Sequence, residues 1–396
     1  MAVILPDAQA APRRVTILGS TGSVGCNTID LIERNRKRFE VVAMTAGNNV
    51  ALLVEQALRL RPRFVALADP DGYDDLKSGL AGSGIAVGAG PDALVEAAEH
   101  PTDWIMAGIV GAAGLAPTLA AIRRGGIIAF ANKECLVSAG PLVMREVARS
   151  GATLLPVDSE HNAIYQVFDF NRRHAIEELI LTASGGPFRL LSRAAMRHVT
   201  PAEATNHPNW DMGDKISIDS ATMMNKGLEI VEAYHLFGLP EDRISVLVHP
   251  QSVIHSMVRY VDGSILAQLG QPDMRTPIAY ALAWPERMAA PVDRLDLAEL
   301  STLNFEHPDP EKFPALSLAR EALRAGGTKP TALNAANEEA VAGFLKNRIG
   351  FLDIARIVEH ILSEMPHGEM DSLETVLETD AEARRRARRE IAAMAD

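Results

Sequence analysis

The segment around residues 14–34 constrains this chain more than any other. Aliphatic residues from Val15 to Leu18 run straight into Gly19-Ser20-Thr21-Gly22-Ser23-Val24-Gly25, and a helical pattern follows from Cys26 to Arg34. Strand, glycine turn and helix in that order commit the chain to a βαβ unit, because the turn sends the backbone back over its own strand. Four more short apolar runs follow: Val41 to Thr45, Phe64 to Ala68, Trp104 to Ile109 and Ile127 to Ala131. Amphipathic stretches separate them up to about Ser150. Runs that are apolar at every position, rather than at alternate ones, suit strands buried on both faces of a parallel sheet. The expectation is an α/β domain over residues 1–155.

The glycine loop also carries an expectation of chemistry. Glycines let the backbone approach a pyrophosphate closely, and free amides at the helix start meet its charge. The spacing Gly-x-x-Gly-x-x-Gly is a variant of the dinucleotide fingerprint and makes the domain Rossmann-like; a plain glycine turn in another α/β domain would share it. In NAD enzymes a carboxylate at the end of the second strand, about 20 residues on, takes the ribose 2′-hydroxyl. Here that strand ends in Ala46-Gly47-Asn48-Asn49. Amides can donate to a 2′-phosphate that a carboxylate would repel, which favours NADP; a domain binding no dinucleotide would lack the carboxylate too.

From Gly151 the alternation breaks down. Ala152 to Val157, Glu178 to Thr182, Ser245 to Val248 and Ile254 to Tyr260 read as extended, and Asp262-Gly263 offers hairpin chemistry for an antiparallel contribution. A central α/β domain over 156–300 is expected, then a linker over 301–314 that is proline-rich from His307 to Pro314. Helical periodicity follows in Ala315 to Arg324, Thr331 to Leu345, Leu352 to Met365 and from about Ser372, so 315–396 reads as a helical bundle. The basic run Arg384 to Arg389 is read as a solvated helix face.

Composition excludes several classes. With 396 residues the chain needs more than one core, and 51 acidic against 39 basic side chains, a net charge of −12, disfavour nucleic acid and anionic lipid as partners. Cys26 and Cys135 are the only cysteines, so a reducing compartment is expected. The apolar run Ala2 to Leu5 is broken by Pro6 and Asp7, unlike a signal peptide, and no stretch approaches the roughly 18 apolar residues of a membrane span. A soluble cytoplasmic protein is expected.

Asp158-Ser159-Glu160 follows the apolar run Thr153 to Val157, placing two carboxylates at a strand end, where α/β proteins put chemistry. Glu229 lies in Asn225-Lys226-Gly227-Leu228-Glu229 at a helix start, where Asn225 and Glu229 share a face. Oxygen donors without cysteine suit Mg²⁺ or Mn²⁺, although ordinary loop carboxylates show the same spacing. Thr182-Ala183-Ser184-Gly185-Gly186, Ser220 and Asn225-Lys226 together suit a phosphate monoester; singly, each reads as a turn or cap. His207 to Lys215, centred on Trp210, reads as a loop that closes over substrate or as a tryptophan anchored in a domain contact.

Leu18 to Gly25, Asn132-Lys133-Glu134, Val157 to Ala163, Ser184 to Arg189, His207 to Gly213, Ser220 to Glu229 and Gln271 to Pro277 resemble, in this order, the signature blocks of the 1-deoxy-D-xylulose 5-phosphate reductoisomerases. The resemblance runs from about Arg14 to beyond residue 360. It implies a homodimeric enzyme that uses NADPH and a divalent cation to convert 1-deoxy-D-xylulose 5-phosphate to 2-C-methyl-D-erythritol 4-phosphate, in non-mevalonate isoprenoid synthesis. By that likeness Thr21, Gly22, Ser23 and Val24 hold the pyrophosphate, and Gly47, Asn48 and Asn49 sit by the 2′-phosphate. Asn132, Glu134 and Gly213 are further cofactor contacts. Asp158, Glu160 and Glu229 bind the metal, with Glu229 also beside the substrate. Ser184, Ser220, Asn225 and Lys226 hold the substrate phosphate with His207, while Lys133, Ser159 and Glu160 face the sugar hydroxyls. Lys133, Glu160 and His207 are the catalytic groups so implied. Asn48 stands where family members often carry a basic residue. Two rivals remain at this point: a semialdehyde-type dehydrogenase using Cys135 as nucleophile, and a non-catalytic NADP- or sugar-phosphate-binding protein.

Overall fold

The computed structural model describes residues 11–210 and 212–395, so the run Ala2 to Leu5 and Asp211 lie outside the described residues. The chain divides into two compact units. The first holds the chain up to Ala131 with Val147–Leu155 and Ile278–Ala290; the second holds Asn132–Glu146, Pro156–Pro277 and Pro291–Asp396.

Seven strands make the sheet of the first unit: β1 (Arg13–Leu18), β2 (Phe39–Ala46), β3 (Phe64–Leu67), β4 (Ala86–Ala89), β5 (Trp104–Ala107), β6 (Ile127–Phe130) and β7 (Thr153–Pro156). Their order is β4-β3-β2-β1-β5-β6-β7, and each pair from β4 to β6 is parallel. All five apolar runs are strands, and Ile17, Met44, Val65, Ile105 and Phe130 are wholly buried. Strand order reverses around β1, the kind of switch point at which α/β sheets bind ligands. One strand, and the sheet membership of another that was read as extended, were not evident from the sequence. β4 is a partly exposed edge strand, so Ala86-Val87-Gly88-Ala89 lacks a telling apolar run. Thr153–Pro156, grouped above with the second region, joins the first sheet beside β6, where Thr153 N donates to Gly126 O at 2.9 Å. Ile278–Ala290 is tied to this unit by Trp104 Nε1, which donates to Ala281 O at 2.9 Å, and by the Arg13 guanidinium, which donates to the Leu282 and Trp284 carbonyls at 2.7 and 2.9 Å.

The second unit has a four-stranded sheet of β8 (Ile176–Ala183), β9 (Ile244–Val248), β10 (Ile254–Tyr260) and β11 (Ile265–Leu269), ordered β11-β10-β8-β9. β8 and β9 are parallel; the other pairs are antiparallel. The expected hairpin forms at Asp262-Gly263, closed by Tyr260 N to Ser264 O at 2.9 Å. Helices Ala315–Ala325, Lys329–Leu345, Asp353–Glu364 and Leu373–Ala395 form the expected bundle. Leu179, Ile218, Leu228, Ala319, Leu333, Phe344 and Ile357 lie in one buried cluster, so sheet and bundle share a core. The basic run is partly consumed inside the bundle: Arg384 pairs with Glu338 at 2.6 Å and Asp380 at 2.7 Å, and Arg388 with Glu339 at 2.7 Å. Among the described residues no helix is long and apolar enough to cross a membrane.

Candidate active site

The glycine loop leaves β1 at the switch point. Thr45 on the neighbouring strand holds it, accepting from Gly19 N through Oγ1 at 3.0 Å and from Ser20 N through its carbonyl at 2.7 Å. Gln56 adds bonds to Ser20 Oγ and O at 2.8 and 3.1 Å. Helix Ser23–Arg34 begins after Gly22 with no side-chain cap and no carboxylate in its first turn. Its first amides therefore remain for an anion, and Thr21, Gly22, Ser23 and Val24 stand at that end. A Cβ on Gly25 would lie 2.3 Å from Gly19 O, so only glycine permits this close return of helix to strand. These residues fit a dinucleotide pyrophosphate. Gly47, Asn48 and Asn49 are exposed at the end of β2, next to β1. Asn49 also has a structural task, accepting from Leu52 N at 3.2 Å to cap helix Val50–Leu60.

The remaining expected cofactor contacts belong to the second unit. Asn132 Oδ1 accepts from Cys135 N at 3.2 Å, Glu134 pairs with Lys215 at 3.0 Å, and Gly213 precedes helix Asp214–Thr222.

The second unit brings the three expected metal ligands together. Asp158 caps helix Ser159–Val167 by accepting from Glu160 N at 3.2 Å, which puts both carboxylates at one helix end. Glu229 comes from helix Met224–Phe237, and one oxygen from each of the three lies within 4.8 Å of the others. Two lysines bind the cluster. Lys133 Nζ donates to Asp158 Oδ2 at 2.5 Å, Asn225 Oδ1 at 2.8 Å and Glu229 Oε1 at 3.4 Å. Lys226 Nζ donates to Glu160 Oε1 at 2.9 Å and also to Glu229 Oε2. Asn225 Nδ2 donates to Glu229 Oε1 at 2.6 Å, and Ser159 Oγ to Glu160 Oε2 at 2.6 Å.

Charge in this site is unbalanced. Burial, then the Asp158 and Glu160 carboxylates, push the Glu229 carboxyl up to about 7 against the pull of Lys226 and Lys133. Burial also works against the Asp158 anion, yet Lys133, His161 and Lys226 hold its carboxyl well below the usual range. Burial opposes the Lys133 ammonium too, but Asp158, Glu229 and Glu232 raise it well above its ordinary value. Three clustered carboxylates that two ammonium groups do not neutralise, one of them on the edge of protonation, fit a hard divalent cation such as Mg²⁺ or Mn²⁺.

Two buried residues behind the cluster were not anticipated. His161 Nδ1 lies 3.1 Å from Glu232 Oε2 and 3.5 Å from Asp158 Oδ1, and its Nε2 lies 2.9 Å from Glu229 O. Burial disfavours the imidazolium, but Glu232 and Asp158 push it up to about 9. A signal was present, since Asp158 to His161 and Glu229 to Glu232 are both three-residue steps along a helix face.

The expected phosphate-binding residues lie in the same unit. His207 Nδ1 accepts from the Asn209 and Trp210 amides at 3.2 and 3.1 Å, so the neutral ring carries its proton on Nε2 and donates to Ser184 Oγ at 2.8 Å. Burial lowers the His207 pKa, which keeps that tautomer. Gly186 N donates to Ser184 Oγ at 3.1 Å, and a Cβ on Gly186 would lie 2.9 Å from Ser220 O, so the Ser184 turn seats against Ser220. Asn225 and Lys226 are here engaged by the carboxylates. Trp210 lies over His255, another buried residue not anticipated, with ring centroids 6.0 Å apart. Asn209 Nδ2 ties the loop to Pro250 O at 2.7 Å.

A glycine loop shaped for a dinucleotide, in a chain that also clusters three carboxylates in the unit of the expected phosphate-binding residues, fits the class of metal-requiring, dinucleotide-dependent oxidoreductases. Cys135, the nucleophile of the dehydrogenase rival, is buried. Residues 15–140 match the family model for 1-deoxy-D-xylulose 5-phosphate reductoisomerase, 154–237 that of its C-terminal domain, and 269–386 that of the DXP reductoisomerase C-terminal domain. The chain is 65% identical to 1-deoxy-D-xylulose 5-phosphate reductoisomerase of Rhodospirillum centenum over 381 residues, 96% of this chain and 95% of that one. The solved structure of the enzyme from Zymomonas mobilis in complex with NADPH is 56% identical with a TM-score of 0.92, over 96% of this chain and 99% of that one. A structure of DOX-P reductoisomerase with NADPH, fosmidomycin and magnesium is 45% identical with a TM-score of 0.91, over 96% and 98%. The chain belongs to the 1-deoxy-D-xylulose 5-phosphate reductoisomerase family.

Proposed function

We infer that this chain is the NADPH-dependent, divalent-cation-requiring enzyme that converts 1-deoxy-D-xylulose 5-phosphate to 2-C-methyl-D-erythritol 4-phosphate in isoprenoid synthesis. The observation that carries this reading is the buried meeting of Asp158, Glu160 and Glu229 with Lys133 and Lys226, in a chain of this family. Asp158, Glu160 and Glu229 would hold the cation, which would supply Lewis-acid activation of the substrate's ketone and neighbouring hydroxyl, and NADPH would supply the hydride.

The chain's own residues orient, hold and screen. Asp158, Glu160 and Glu229 are the cation ligands, and the helix cap at Asp158 sets two of them in place. Lys133, kept charged by Asp158 and Glu229, stabilises negative charge on the sugar oxygens or moves a proton at its Nζ. Ser159 and Glu160 face the sugar hydroxyls. Ser184, Ser220, Asn225, Lys226 and His207 grip the phosphate, and Trp210 closes over the substrate and excludes water. The phosphate grip and the Trp210 loop together keep both fragments of the substrate in place while a carbon–carbon bond breaks and re-forms. Thr21, Gly22, Ser23 and Val24 hold the pyrophosphate, Gly47, Asn48 and Asn49 the 2′-phosphate side, and Asn132, Glu134 and Gly213 complete the cofactor contacts.

The working form is a homodimer in this reading. Support comes from the edge strand β11, where Ile265, Leu266 and Leu269 are exposed beside Val261, an apolar edge that a second copy would cover. The presence of only two cysteines, Cys26 and Cys135, supports a reducing, cytoplasmic setting. NADPH consumption with 1-deoxy-D-xylulose 5-phosphate, in Mg²⁺ or Mn²⁺ and then with the metal chelated, tests the whole. Metal-dependent oxidation supports it; no oxidation by folded protein in either condition would leave only a nucleotide-binding α/β protein.

A further inference from the structure

Lys215, a partly exposed cation in the second unit that pairs with two carboxylates, has no part in the chemistry above. Lys215 is the second residue of helix Asp214–Thr222, where the helix dipole disfavours a cation, so the ammonium must be held by something else. Its Nζ lies 3.0 Å from Glu134 Oε1 and 2.9 Å from Asp219 Oδ2. Asp219 is buried, and its other oxygen accepts from Asn337 Nδ2 of the bundle at 2.7 Å. Asp219 is therefore held through both of its oxygens. Burial works against the charge on Lys215, but Asp219 and Glu134 hold it well above its ordinary value; burial likewise opposes the Glu134 anion, which Lys215 stabilises.

The neighbours of these groups give the contact its meaning. Glu134 directly follows Lys133 and is a cofactor contact in the assignment above. Asp219 directly precedes Ser220, whose carbonyl seats the Gly186 turn that carries Ser184. Lys215 itself stands two residues after Gly213, at the foot of the Trp210 loop. One ammonium therefore joins a cofactor-contact segment to the phosphate grip and to the loop stem.

We propose that Lys215 is a positioning residue that links Glu134 to Ser220, so that occupancy of the cofactor site tightens the phosphate site and the reverse. The proposal rests on the roles assigned to Glu134 and Ser220 under the proposed function. A ligand that orders Glu134 orders Lys215, and through it Asp219 and the helix bearing Ser220. Linkage requires the effect to be equal in both directions.

The test is calorimetric titration of the full-length protein with fosmidomycin in Mg²⁺, with and without saturating NADPH. In the unaltered protein NADPH should tighten fosmidomycin at least about fivefold; in Lys215→Met the two affinities should agree within about twofold, and Lys215→Arg should restore most of the difference. Asp219→Asn is close in shape and cuts the same link, so it carries the same expectation should Lys215→Met fail to fold. Full tightening retained in Lys215→Met or Asp219→Asn overturns the link, as does no tightening in the unaltered protein. Failure of the unaltered protein to bind either ligand would instead bring down the assigned site, and the link with it.

Discussion

Gly25→Ala tests the cofactor loop directly. An ideal Cβ there meets Gly19 O at 2.3 Å and Ser20 C and Cα at 2.6 Å, whereas real Cβ contacts essentially never fall under 3.0 Å. The atoms met are backbone, and Ser20 is pinned by Thr45 and Gln56, so no flexible side chain can give way. Relief requires the loop to move by a large fraction of an ångström. Overpacking of this kind costs about 1–3 kcal/mol, and at about 2–4 °C per kcal/mol for a unit of the size that holds the loop the Tm of that unit should fall by roughly 2–12 °C. Displacement at the pyrophosphate should weaken NADPH by about 10- to 100-fold, since misplacements near 1 Å have that order of effect at binding sites. Gly22→Ala is the control for stability. Its Cβ would lie 3.5 Å from Gly19 O at an ordinary φ of −77°, so its Tm should stay within about 2 °C. Nicotinamide fluorescence titration and thermal unfolding read the two effects. A Gly25→Ala protein that binds NADPH like the parent, or unfolds with Gly22→Ala, would refute the argument.

Three further outcomes are expected. Glu229→Gln removes one of the three carboxylates together with the repulsion that drives its pKa to about 7, so Mn²⁺ affinity should fall at least about 100-fold and turnover should vanish while the fold survives; unaltered Mn²⁺ binding would remove Glu229 from the ligand set. Trp210→Ala loses the cover over His255 and should raise KM for the sugar phosphate by about fivefold with intact folding, and unchanged kinetics would return Trp210 to a structural role. Burial pushes the His235 imidazole down to about 4. Because its folded pKa lies below the ordinary value of about 6.5, the unfolded chain binds the proton first as pH falls. Its contribution is therefore intact above about pH 6.5 and lost toward about pH 4, at no more than about 3 kcal/mol over that window. His235→Gln should flatten this acid limb in thermal unfolding at stepped pH; identical slopes in parent and variant would show that His235 does not set it.

How much of this was legible beforehand depends on how far apart the interacting residues are in the chain. The strands containing Val15, Val41, Phe64, Trp104 and Ile127, the glycine loop, the Asp262-Gly263 hairpin and the four C-terminal helices were all readable, because each announces itself through neighbours a few residues away. The same range covers Asp158 with Glu160, and Asn225 with Glu229. The joint occurrence of seven blocks in order made the family resemblance specific where each block alone was ambiguous.

Tertiary structure decided the rest. Whether Thr153–Pro156 belongs to the first sheet or the second depends on which edge it meets, and its own residues carry no record of that partner. The approach of Glu229 to Asp158, the reach of Lys133 to both, the His161–Glu232 pair and the Glu134–Lys215 pair join segments far apart in the chain. The sequence by itself therefore determined the elements and the chemical inventory, because hydrophobic period, caps and turns act over about four residues. Burial of one shared core determined which charges face each other: removal from water lifts Glu229 to about 7, while the carboxylates gathered around Lys133 keep it charged against that same burial.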